Sequence, residues 1–193
     1  MPATDSDRYT PKLDEALALA ADAFRTHIRK GSGVPYLTHL LQVMVTVGEH
    51  GGDEDQMIAA VLHDYLEDIE AADADDLEAR FGIRVRTMVE ALSDSTELPK
   101  PPWKARKVAY LEHLRDEPHD LKLVSAADKL HNARSIVRDL RGAVGADLWS
   151  RFTAGKEGSL WYYAQVVEAL GHNWSHPLLE ELRETVATIQ EIA

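Results

Sequence analysis

Apolar residues recur at three- and four-residue intervals along much of the chain. Leu13, Leu17, Ala20, Ala21 and Phe24 fall on one stripe of 3.6 period, as do Leu40, Val43, Met44 and Val47, and then Ile58, Val61, Leu62 and Tyr65. Such spacing puts each set on one face of an amphipathic helix. Leu182, Val186 and Ile189 mark a last helix, with Pro177 where a first-turn proline is tolerated. Strand-type alternation is sustained nowhere, and clusters of Gly and Pro punctuate the segments. The pattern predicts an all-α bundle of eight to ten helices with short loops. No internal repeat, low-complexity tract or Gly/Ser linker divides the chain, so one compact domain is expected over residues 1–193. The stretch Leu98, Pro99, Lys100, Pro101, Pro102 is the least helical, suited to a mobile connection, a lid or a plain turn between two helices.

Composition narrows the chemistry. The 193 residues include no cysteine, which excludes disulfides, thiolate catalysis, zinc fingers and iron–sulfur clusters. A metal would have to be held by His, Asp or Glu. With 45% apolar and 28% charged residues, the chain reads as an ordinary globular protein. The polar start, Met1 to Tyr9, lacks the basic and apolar regions of a secretory signal, and no apolar run is long enough to span a bilayer. A cytoplasmic protein is expected. A net charge of −12 repels nucleic acid and anionic lipid, so neither is expected as a partner. The charge is uneven, however: Asp53 to Glu78 holds eleven carboxylates and no Lys or Arg, whereas Pro99 to Arg141 holds ten Lys or Arg against six acids. An anionic substrate would need such a local basic segment; otherwise the run is a solvated helix face.

The densest chemistry is His63, Asp64, Tyr65, Leu66, Glu67, Asp68, in a helical run expected to begin near Glu54. On a helix His63 neighbours Glu67, and Asp64 neighbours Asp68. Three carboxylates within five residues repel one another, so basic side chains or a cation should sit among them. His39 lies on a second helix, and Asp128, with Asn132 one turn later, on a third. Two imidazoles and two carboxylates from three helices are the kind of set a bundle uses for an internal metal site, suited to Mn or Fe, with Zn, Co and Mg as alternatives.

This arrangement resembles the HD superfamily of metal-dependent phosphohydrolases. Arg29, Lys30, Pro35, Tyr36 and His39, then His63, Asp64, Glu67 and Asp68, then Ala127 to Asn132 and Arg134, are similar to the hydrolase domain of the RelA/SpoT homologues. A stand-alone chain of this kind is similar to the small alarmone hydrolases, including the metazoan SpoT homologue. The likeness covers about 24–141, with helices over about 146–192 completing the bundle. It implies hydrolysis of the 3′-pyrophosphate of guanosine tetraphosphate or pentaphosphate to GDP or GTP and pyrophosphate, with Mn²⁺ as the metal. Under it His39, His63, Asp64 and Asp128 are ligands, Glu67 and Asp68 position or deprotonate water, and Arg29, Lys30, Asn132 and Ser135 contact the nucleotide. Lys107 is a further candidate phosphate contact.

Some positions depart from the family. The Lys30–Pro35 spacing is one residue longer than in the bifunctional enzymes, Leu40 replaces a frequent proline, Lys129 a frequent arginine and Ser135 a frequent threonine. No synthetase activity is expected. Guanine versus adenine selectivity stays open, as does the oligomeric state. Other HD phosphohydrolases, acting on adenosine alarmones, the 2′-phosphate of NADPH or deoxynucleotides, would share the metal core, and a helical binding module without activity is the alternative from a different class. Among the other histidines, His27, His50, His113, His119, His172 and His176 read as surface or hydrogen-bonded groups, and His131 as a core group or one that orients the site. Trp161, Tyr162, Tyr163 and Val166 read as core rather than as base-stacking residues.

Overall fold

The structure is a computed structural model that describes residues 9–94 and 100–193. Among these, ten α-helices follow one another: α1 Pro11–Ala23, α2 Leu37–Glu49, α3 Glu54–Val61, α4 Tyr65–Asp68, α5 Ala74–Phe81, α6 Ile83–Leu92, α7 Trp103–Asp116, α8 His119–Arg141, α9 Gly155–Gly171 and α10 Pro177–Ile192. A 3₁₀ helix, Gly145–Arg151, joins α8 to α9. No strand occurs among the described residues beyond an isolated bridge between Ile28 and Pro35, and no helix is long and apolar enough to cross a membrane. Leu98 and Pro99 of the proline-rich connection, and Met1 to Arg8 of the polar start, lie outside the described residues.

Local chemistry sets the helix starts. The Thr10 hydroxyl accepts from Lys12 N, and Pro11 occupies the first turn of α1. Asp53 and Gln56 form a reciprocal capping box on α3, each side chain bonding the other's backbone N–H. Helix α8 is the axis of the bundle, packing against α2, α3, α6, α9, α10 and the 3₁₀ helix. Its N-terminal half is buried throughout from Leu121 to Asp128. The stripe on α1 buries Leu13, Ala16 and Ala20, with Phe24 just after it, and α2 buries His39 and Leu40 beside Val43 and Val47.

Two interior features need polar partners. Lys122, 1% exposed, donates to the carbonyls of Arg115 at 2.8 Å and His172 at 2.5 Å. It thereby caps the last turn of α7 and the end of α9, whose terminal carbonyls lack intrahelical partners. The second feature is a break in the run expected to be one helix. Helix α3 stops at Val61; Leu62 (φ −109°, ψ 7°) and Asp64 (φ −95°, ψ 2°) sit in the bridge region, and only then does α4 begin. On an unbroken helix, consecutive side chains diverge by about 100°. The turn instead brings His63 and Asp64 to one place.

Candidate metal centre

Four side chains converge where α2, the turn after α3, and α8 meet. His39 Nε2 is 3.2 Å from Asp128 Oδ1 and 3.8 Å from Asp64 Oδ2. His63 Nε2 is 3.0 Å from Asp64 Oδ2 and 3.6 Å from Asp128 Oδ1. Donor atoms of His39, His63 and Asp128 lie within 4.8 Å of one another, and all three residues are buried. The structure thus brings together the four residues expected as ligands.

Their hydrogen bonds turn the two Nε2 atoms inward. His63 Nδ1 donates to the Ala60 carbonyl at 2.7 Å, which turns Nε2 toward Asp64 and Asp128. Burial opposes a charge on the ring, but these two carboxylates hold the His63 pKa well above the usual range, so without a cation Nε2 carries a proton as well. His39 Nδ1 meets His131 Nδ1 at 2.7 Å. Burial and the neighbouring His39 lower the His131 pKa to about 4, and burial lowers that of His39, so two neutral rings share one proton between their Nδ1 atoms; a cation at His39 Nε2 would place that proton on His39 Nδ1. His39 Nε2 faces the carboxylates, nearest to Asp128. Burial alone would raise the Asp64 pKa, but His63 holds it at about 2. Burial likewise opposes ionisation of Asp128, and Lys129, His39 and His63 overcome it and hold its pKa well below the usual range. Two inward imidazole nitrogens and two ionised carboxylates, with the positive charge of the His63 ring standing where a cation would replace its proton, fit a divalent cation of intermediate hardness.

Partners around the four residues extend the order outward. The Tyr36 hydroxyl donates to Asp64 Oδ2 at 2.7 Å, and burial followed by Asp64 drives its pKa upward. Asp128 accepts from Lys129 Nζ at 2.5 Å and from Asn132 Nδ2 at 2.6 Å. Asn132 Oδ1 in turn accepts from Arg29 Nη2 at 2.7 Å. Such contacts fix tautomer and orientation of ligating groups. Tyr36 and Lys129 were visible in the sequence only as family markers, because their partners lie across the fold.

Beside the cluster opens a cavity of about 380 Å³ whose wall includes Arg29, Lys30, Lys107, Asn132 and Ser135, the residues expected to contact nucleotide. Tyr162 and Tyr163 belong both to the core and to this wall. The glycine turn after Lys30 absorbs the longer spacing: Gly31 (φ +77°) and Gly33 (φ +70°) are left-handed, and the Arg29 N–H bonds the Val34 carbonyl at 2.7 Å. Arg151 packs over Gly31 and pairs with Asp139 at 3.0 Å.

The acidic pair lies on α4. Glu67 accepts from Lys100 Nζ at 2.9 Å and from the Asp94 N–H at 3.2 Å. Asp68 is more open, 4.0 Å from Lys100 Nζ, and its pKa is raised to about 6 by burial, then by Asp64 and Glu67. Lys100 thus supplies the positive charge that this crowd of carboxylates requires. His50, His113, His119, His172 and His176 find partners elsewhere, whereas His27 departs from that expectation: its ring packs edge-on against Phe24 at 5.3 Å and its buried Nδ1 has no partner.

A helical bundle with a buried His/Asp cluster at its centre and a basic cavity alongside defines the class of His–Asp metal-site domains. The chain belongs to the HD domain family, whose model matches residues 16–160. It is 30% identical over 185 residues to the guanosine-3′,5′-bis(diphosphate) 3′-pyrophosphohydrolase MESH1 of Danio rerio, covering 94% of this chain and 90% of that protein. Identity to MESH1 of Mus musculus is 36% over 130 residues, or 66% of this chain and 70% of that one. A solved structure of a metazoan ortholog of SpoT, which hydrolyzes ppGpp, matches with a TM-score of 0.76 at 25% identity, covering 93% of this chain and 96% of that chain.

Proposed function

We propose that this protein is a metal-dependent phosphohydrolase that removes the 3′-pyrophosphate of guanosine alarmones, yielding GDP or GTP and pyrophosphate. The observation that carries the reading is the union of the cluster of buried His39, His63 and Asp128 and half-buried Asp64 with a cationic cavity sized for a nucleotide. His39, His63, Asp64 and Asp128 would hold the cation, with Mn²⁺ proposed as its identity. When bound, a divalent cation there neutralises phosphate charge and makes water more acidic.

The chain's own residues do the rest. Arg29, Lys30 and Lys107 hold the phosphates, and Asn132 links Arg29 to Asp128. Of the two acids on α4, Asp68 suits the base: its pKa near 6 lets it be ionised at neutral pH yet accept a proton readily. Glu67, tied by Lys100 and the Asp94 N–H, orients that region. The water oxygen bonds to the phosphorus carried by the ribose 3′-oxygen, Asp68 takes the water proton, and the P–O3′ bond breaks. The 3′-oxygen takes a proton from solvent as pyrophosphate departs. We place the enzyme in the cytoplasm as a single domain acting on a free nucleotide.

Ion-exchange analysis of products tests this, using metal-free and Mn²⁺-loaded protein with guanosine and adenosine alarmones and NADPH. Metal-dependent pyrophosphate release from guanosine tetraphosphate, absent in Asp64→Ala, is expected. A folded, metal-loaded protein that turns over only NADPH or an adenosine alarmone would replace the substrate, and one that turns over none would remove the activity.

A further inference from the structure

Asp94 lies two residues beyond α6, and its carboxylate is 5% exposed. One oxygen accepts from Arg106 Nη1 and the other from Lys107 Nζ, while its backbone N–H donates to Glu67 Oε2 at 3.2 Å. One residue therefore touches both the acidic pair on α4 and, through α7, the cationic wall of the cavity. Lys107 stands in that wall with Nζ 5.0 Å from the Tyr162 ring centre. Its surroundings otherwise disfavour a charged amine: burial lowers its pKa and Lys129 adds to that, with Asp94 opposing both. A flexible lysine next to a second ammonium turns toward water unless something holds it.

We infer that Asp94 is a positioning residue, whose side chain fixes Lys107 Nζ in the cavity wall as a phosphate contact and whose N–H fixes Glu67. The inference rests on the reading above only in taking the cavity as a phosphate site. Arg106 supplies a separate, structural role for Asp94. Its Nε donates to the Pro101 carbonyl at 3.1 Å, tying residue 94 to the start of α7. A useful test has to separate the two roles.

Inorganic pyrophosphate is the probe, titrated calorimetrically into the metal-free full chain as wild type, Asp94→Asn, Lys107→Met and the double variant. Each single change is expected to weaken binding about tenfold, the scale of one lost charge-assisted hydrogen bond. The double variant is expected to bind no more weakly than Lys107→Met, because both remove the same contact. Arg106→Leu keeps the Asp94–Lys107 pair and is expected to bind like wild type. In turnover, Asp94→Asn should raise KM while the pH profile of kcat holds, since the N–H to Glu67 survives. Wild-type affinity in Asp94→Asn, additive losses in the double variant, or binding indifferent to Lys107 would overturn the inference. If circular dichroism shows Asp94→Asn unfolded, Asp94→Glu carries the same test: its carboxylate sits one methylene further out, weaker pyrophosphate binding is expected, and unchanged binding overturns the inference. Pyrophosphate binding that follows the pair in a protein inactive on guanosine tetraphosphate supports this inference and removes only the proposed activity.

Discussion

Tyr36→Phe deletes one oxygen and keeps a ring. Stacking on Phe24, at 5.5 Å between centroids, and the Arg29 guanidinium 5.7 Å from the ring centre do not require the hydroxyl. The substitution therefore isolates the 2.7 Å hydrogen bond to Asp64 Oδ2. A hydrogen bond to a charged group contributes about 1.5–3 kcal/mol. Asp64 is 19% exposed, so water replaces the donor in part, and about 1.5–2 kcal/mol is expected, or roughly 10- to 30-fold in cation affinity. The pH dependence follows: losing a donor worth about 1.5–2 kcal/mol raises the Asp64 pKa from about 2 to roughly 3–3.5, so Asp64 stays ionised at neutral and mildly acidic pH and the deficit is expected to be the same at both. Competition for Mn²⁺ against a fluorescent chelator, at neutral and mildly acidic pH, reads both effects. Affinity within twofold of wild type at both pH values would refute the claim that this hydroxyl supports the site.

Four other outcomes follow. Asp68→Asn should lower kcat by about 10²–10⁴; in the wild type kcat/KM should fall below pH about 6 as Asp68 takes up its proton, and steady-state pH profiles should show this limb gone in the variant. Mn²⁺ at 100 times its Kd should raise stability by about 2.7 kcal/mol, read as a rise in Tm that chelator reverses and His39→Ala abolishes. Lys122→Ala removes the buried ammonium that two helix-end carbonyls share and should cost about 2–4 kcal/mol in urea unfolding. Gly31→Ala combines a left-handed backbone with a Cβ 2.4 Å from Arg151 Cδ, and should weaken nucleotide binding in calorimetry while the metal-dependent rise in Tm stays that of the wild type.

The bundle was legible because helices bury stripes, and stripes are a local signal. Leu40, Val43 and Val47 announce α2, and the same reasoning places His39 on its inner face. The break after Val61 was not legible: Leu62, His63 and Asp64 continue a helical pattern, and nothing local opposes it. Only tertiary packing makes the bridge-region turn worthwhile. Contacts such as Tyr36 with Asp64, His39 with His131, or Asp94 with Lys107 join residues whose sequence separation exceeds any helical period. Asp128 and Asn132, one turn apart on α8, were readable as a pair, whereas the reach of Asn132 to Arg29 was not.

The origin of the four converging side chains has a bearing on how the chain folds. His39, His63–Asp64 and Asp128 come from stretches separated by 24 and then 64 positions, so the cluster exists only after two long loops have closed. Their closure entropy grows slowly with length but must be met before these contacts form. Helices α1 to α3 can associate early through near-neighbour contacts, whereas the site waits for α8 to dock. Amide exchange should then report two units, and occupancy of the site should slow opening of α8 along with α2, joining them into one cooperative unit.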